Sequence, residues 1–130
     1  MLKDPQIFLY ISLVRYKAIP KLLDKIKKKE ISIILDFEDS SKDIFSPKNT
    51  EELKSKCRVG FKYLSSLKKN YKNIFIRINA EKSRFYLKDV ACLEKTLSYK
   101  SIKGIFVPKT EKYETLLKIN KKLQLNKKKI

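Results

Sequence analysis

Residues 31–43 read ISIILDFEDSSKD, and the passage from the first half of that stretch to the second decides the fold. Ile31 to Leu35 is a short, β-branched, apolar run, the composition of a strand buried on both faces. Three acids then follow within four residues: Asp36, Glu38 and Asp39. The same rhythm recurs along the chain. IFLYISLV (residues 7–14) reads as a first buried strand, NIFIRIN (73–79) as a third and IKGIFVPK (102–109) as a fourth. Between them lie amphipathic stretches. Ile19, Leu22, Leu23 and Ile26 mark one helical face, with Pro20 tolerated in the first turn. Leu53, Cys57, Phe61, Leu64 and Leu67 mark a second helix, for which Thr50 is a suitable N-cap before Glu51. LKDVACLEKTL and KYETLLKINKKLQL supply a third and a fourth. Apolar strands alternating with amphipathic helices over short connections predict an α/β protein with a parallel sheet. In such sheets ligands bind at the carboxyl ends of the strands. The polar strand ends here are Asp36, Glu38 and Asp39, then Arg77 and Asn79, then Pro108, Lys109 and Glu111, and they are expected to converge on one face.

The bulk composition narrows the classes. A chain of 130 residues, 42% hydrophobic with seven Phe and seven Tyr, is a single globular domain rather than a disordered segment. No run reaches the ~18 apolar residues of a membrane span, and the N-terminus shows no readable secretory signal. Cys57 and Cys92 have no CxxC spacing, which fits reduced thiols in a cytoplasmic protein. The absence of His excludes a His-based triad or a His-ligated zinc. The formal charge of +18 raises nucleic acid as a partner, but only four of the 32 basic residues are Arg. Nucleic-acid surfaces concentrate Arg for bidentate contacts, so the Lys excess reads as background and nucleic acid as the weakest partner reading. NKKLQLNKKKI is its densest block, and the chain divides into one domain over 1–120 and a Lys-rich tail over 121–130.

Taken in order, LDFEDS, KSKCR, FIRIN, LKDV and GIFVPKTE resemble the HpcH/HpaI aldolase, citrate lyase beta subunit-like family. Its members carry D-L-E-D-S-V after the second strand, K-x-x-A-R on the second helix, V-R-I-N on the third strand and G-I-x-x-P-K-x-E on the fourth. The resemblance spans residues 7 to about 117 and implies a TIM-type (β/α)8 barrel, of which this chain holds an incomplete parallel (βα)4 half. It further implies a lyase or aldolase that makes or breaks a C–C bond in 3-hydroxy acids or their CoA thioesters, with Mg²⁺ holding a 2-oxo acid. On that basis Arg77 binds the oxo-acid carboxylate, for which a rigid guanidinium fork is suited. Glu38 and Asp39 are the catalytic acid pair beside the metal and its waters. Lys21 and Lys25 fall where the family has basic residues that meet CoA phosphates.

The departures are as informative. The family's R-S-x-L-F-V-P-G appears here as QIFLYISLV, without the Arg and the Pro-Gly turn. Its direct metal ligands lie on the fifth and sixth strands, so no residue of this chain is assigned to the metal and a truncated lyase is one expectation. A non-catalytic half barrel, or a binding protein, is the alternative. Strands one and four would be unpaired edges, which predicts self-association or a complementary half-barrel chain. Arg77 has a plainer reading too, as a salt bridge to Glu38 or Asp39. Asp36 reads as structural, and Lys54 and Arg58 as residues that orient the second helix by bonding to the strand-two acids.

Overall fold

The computed structural model describes residues 7–26, 31–38, 42–67, 71, 73–96 and 102–123. Its elements run β1 (Ile7–Ser12), a 3-10 turn (Leu13–Arg15), α1 (Ile19–Ile26), β2 (Ile31–Asp36), α2 (Pro47–Ser66), β3 (Ile74–Arg77), α3 (Tyr86–Thr96), β4 (Ile102–Phe106) and α4 (Tyr113–Leu123). The four strands form one parallel sheet in the order β1-β2-β3-β4. This is the α/β architecture that the alternating pattern predicts.

Register sorts the side chains onto two faces. Ile33, Leu35, Ile74 and Ile76 join Leu23, Cys57, Phe61, Leu64, Val90, Leu93, Ile119 and Leu123 from the four helices in one core. All the helices therefore pack on one face of the sheet. The opposite face carries Phe8 and Tyr10 from β1, Ile34 and Asp36 from β2, Phe75 and Arg77 from β3, and Phe106 from β4. Phe8 meets Phe75 and Phe106 there edge-on and those two rings are tilted against each other, with centroids 5.6–6.5 Å apart.

Two expectations are corrected. β1 is not a buried strand: Ile7 to Tyr10 are all exposed, because β1 is an edge of the sheet and none of the described helices packs on the face of Phe8 and Tyr10. The second helix begins at Pro47, not Glu51. Ser46 caps it by accepting from the Asn49 N–H at 3.1 Å, and Pro47 fits the first turn, where no N–H is needed. Thr50 instead ties down the preceding loop. Its hydroxyl accepts from the Asp43 N–H and donates to the Asp43 carbonyl, both at 2.8 Å.

The seat of α2 depends on a glycine. A Cβ at Gly60 would lie 2.7 Å from both the Leu13 carbonyl oxygen and the Tyr16 Cβ, so the helix meets the turn after β1 backbone to backbone. Gly60→Ala gains helix propensity, yet overpacking against a carbonyl should still leave a net loss of about 2 kcal/mol. Urea unfolding measures it. A midpoint at or above that of the wild type would mean that the turn yields freely. Gly104→Ala meets only the edge of the Phe75 ring, at 3.1 Å, and should cost less.

Candidate functional site

β2 and β3 end side by side, and the polar residues that terminate them meet. Asp36 and Arg77 are direct register partners on adjacent parallel strands, so both project from the open face of the sheet. The Asp36 carboxylate is fully buried and accepts from Arg77 Nε and Nη2, each at 2.8 Å. Two parallel charge-assisted bonds fix the guanidinium plane. Asp36 also accepts from the Glu38 N–H at 2.9 Å, a turn that swings the chain over the strand end. Glu38, itself buried, brings Oε1 to 3.6 Å from Arg77 Nη1. The Tyr10 ring lies 4.5 Å from the guanidinium carbon. Hydrogen bonding from Asp36, opposed by partial burial, holds the Arg77 pKa above even its ordinary value. Arg77 keeps some exposure, its side chain at 19%, so the group opens to solvent on the uncovered face.

A second polar network lies beneath it. Lys54 on α2 is buried, and its Nζ donates to the Phe37 and Glu38 carbonyls at 2.6 Å each and to Asn79 Oδ1 at 2.8 Å. Three acceptors match the three N–H bonds of an ammonium. Burial pulls the Lys54 pKa below the ordinary lysine value, against an upward pull from Cys57, Asp89, Asp36 and Glu38. Asn79 donates onward to the Phe37 carbonyl at 3.1 Å and to Asp89 Oδ2. Asp89 on α3 is fully buried, accepts from the Asn79 backbone N–H at 3.0 Å, and pairs with Arg58 of α2 at 3.4 Å. The two strand ends, α2 and α3 are thus locked around one ionic cluster.

The structure brings Glu38 and Arg77 together. Asp39 lies outside the described residues. Lys21 and Lys25 are exposed on α1, and neither shares a hydrogen bond or ion pair with the Arg77 group. Among the described residues Arg77 pairs with two strand-end acids, closely with Asp36, its register neighbour, and at 3.6 Å with Glu38, two residues past it. Lys54 does orient α2, but through strand-end carbonyls rather than the acids, and Arg58 reaches Asp89 instead. The Asp36–Arg77 pair was missed in the sequence. Alternation along ISIILD, which places Ile34 and Asp36 on one face, was the signal that could have found it. Among the described residues no group of three or more His, Cys, Asp or Glu is placed to hold a metal ion, and no helix is long and apolar enough to cross a membrane.

No family model matches the chain, and no curated protein matches it. Among solved structures it is similar to protein CitE from Mycobacterium tuberculosis in complex with magnesium, acetoacetate and coenzyme A. The TM-score is 0.62 at 21% identity over 88% of this chain and 36% of that one. The chain thus spans about a third of that protein's length, and what the two share is the fold, an α/β architecture with a parallel sheet.

Proposed function

We propose that the ends of β2 and β3 form the anion-binding part of a citrate lyase-like C–C lyase or aldolase site, which takes a 2-oxo acid or a 3-hydroxyacyl-CoA. The observation that carries this reading is Arg77. Its guanidinium is fixed in plane by Asp36, backed by Tyr10, and held at a strand end on the open face. A fixed fork of that kind suits a carboxylate. The CitE protein's magnesium, acetoacetate (a 3-oxo acid) and coenzyme A support an oxo-carboxylate or acyl-CoA as the ligand class.

The described residues do not fit magnesium on their own. Asp36 and Glu38 both face Arg77, and among the described residues no third acid joins them. Two carboxylates already engage the Arg77 guanidinium, so an incoming carboxylate competes with them for it. In this proposal Arg77 binds and orients the carboxylate, Glu38 and Asp39 are the acid pair beside it, and further βα units contribute the remaining metal ligands. The engagement of both Asp36 and Glu38 by Arg77 favours one second reading, a half barrel that binds without turnover. The charge of +18 gains no such support. Arg58, Arg77 and Arg84 each pair with an acid of this same chain.

Calorimetric titration with oxaloacetate, with and without Mg²⁺, tests the proposal. The expected result is magnesium-dependent binding that weakens at least ~10-fold in Arg77→Lys, which keeps the charge but loses the fork. Heat from neither condition would sink the oxo-acid reading. Binding that Arg77→Lys leaves intact would remove Arg77 from it.

A further inference from the structure

The most conspicuous surface of this chain is one that lacks charge. In a protein with 35% charged residues, residues 5–14 (PQIFLYISLV) contain none. The structure places Ile7 to Ser12 of this stretch on the edge strand β1, with Ile7 60%, Phe8 43%, Leu9 41% and Tyr10 50% exposed. Soluble proteins commonly blunt such edges with Lys, and this chain carries Lys on nearly every other polar surface. An apolar, unblunted edge is the surface of a strand that has a partner.

A matching surface lies at the other edge. β4 is the last strand of the sheet, and Phe106 on its open face is exposed. α4 buries Thr115, Ile119 and Leu123 in the core but leaves Leu116 and Leu117 exposed, 43% and 49%. One edge therefore has an apolar strand without a helix over it. The other has a helix with apolar side chains beyond what its own sheet can use.

We infer that the partner is a second copy of this chain, and that two copies close one eight-stranded parallel barrel. A two-fold axis along the strand direction sets β4 of each copy beside β1 of the other. Strands remain parallel across both junctions, which the barrel geometry requires. The contact is closed, so it stops at two. Each α4 then covers Ile7 and Leu9 of the other copy, and Phe8, Phe75 and Phe106 become barrel interior. The Arg77 group of each copy would face that of the other at the same end of the barrel. The β1 edge carries no charge and each copy carries a formal +18, so the copies repel and screening should strengthen the contact.

Sedimentation equilibrium of the full chain without ligand, at tens of micromolar in low and in moderate salt, reads this out. The expected mass is twice 15.4 kDa, with the dimer fraction rising with salt. Leu9→Lys, and separately Leu116→Lys, should each yield monomer with unchanged far-UV circular dichroism. Both residues are exposed in the single copy, so its folding does not depend on them. Should Leu9→Lys fail to fold, Leu116→Lys carries the test alone. A monomer at all concentrations and salts overturns the inference. So does mass that grows without limit, which means an open polymer, or a dimer that survives both folded variants. The mass is independent of the oxo-acid titration. A dimer that binds nothing defeats only the functional proposal, and a monomer that binds defeats only this one.

Discussion

Replacing Lys54 with methionine should destabilise the fold by about 3 kcal/mol or more, although the substitution is close in length and adds apolar character to a buried site. The reason lies in what remains. The Phe37 and Glu38 carbonyls and Asn79 Oδ1 all accept from Lys54 Nζ, and two of them end β2 where the chain leaves the sheet. Methionine removes the donor and leaves those acceptors inside the protein, each unmet one costing on the order of 1–3 kcal/mol. Water can reach some of them, which is why the expected loss is below the full sum. Urea unfolding should show a lower midpoint at an unchanged slope. A midpoint within error of the wild type would mean that the strand end is satisfied without the lysine. The lysine also leaves a mark in alkali. Its folded pKa is depressed, so between that value and the ordinary 10.5 the unfolded chain holds more protons than the native one. Through that window its contribution to stability rises with pH, and Lys54→Met should lack the rise.

The fold was legible because its strands and helices differ in period. ISIIL and IFIRI are too short and too apolar for surface helices, while the stretch from Leu53 to Leu67 repeats at helical spacing. Order along the chain then fixed neighbours in space, since β-helix-β crossovers place successive strands side by side. What the pattern could not show was exposure. IFLYISLV has the composition of a buried strand, and only its place at the edge of the sheet reveals that four of its residues face solvent. The start of α2 was misjudged for a local reason. Ser46 and Thr50 are both competent caps, and Pro47 directly after Ser46 tips the choice by fitting the first turn without an N–H.

At the site, the residue types were legible but their pairing was not. Arg77 stands out in an apolar strand as a cation in need of a partner. Which acid provides it depends on register, and a parallel register between distant segments is not written in either segment alone. Asp36 and Arg77 fall opposite each other, so the acid taken as structural holds the guanidinium in place. Lys54 was legible as a residue that orients α2, but as a partner of the strand-two acids. Helical phase, one turn before Cys57 and two before Phe61, turns it inward and leaves Lys56 exposed, and its ammonium meets carbonyls at the strand end.

Asp89→Ala should be as damaging as the loss of Lys54, at about 3–5 kcal/mol, because it strips a buried cluster of its shared anion. Asp89 accepts from the Asn79 backbone N–H and from the Asn79 side chain, and it pairs with Arg58, which is largely buried beside it. Asp89→Asn separates charge from shape and reads through pH. Burial raises the Asp89 carboxyl above the ordinary 3.8, outweighing the downward pull of the Asn79 bonds and of Arg58. A raised folded pKa means that the native state holds this proton more tightly than the unfolded chain does. The group's contribution is therefore fully present below 3.8 and is lost as pH rises through the folded value. Asparagine has no such titration. With urea midpoints measured from about pH 3 to pH 7, the wild type minus Asp89→Asn stability difference should fall as pH rises and then level off. A difference that climbs with pH would show the Asn79 and Arg58 interactions outweighing burial, and the ionised carboxylate would then be a net support of the strand end rather than a cost borne for the geometry it imposes.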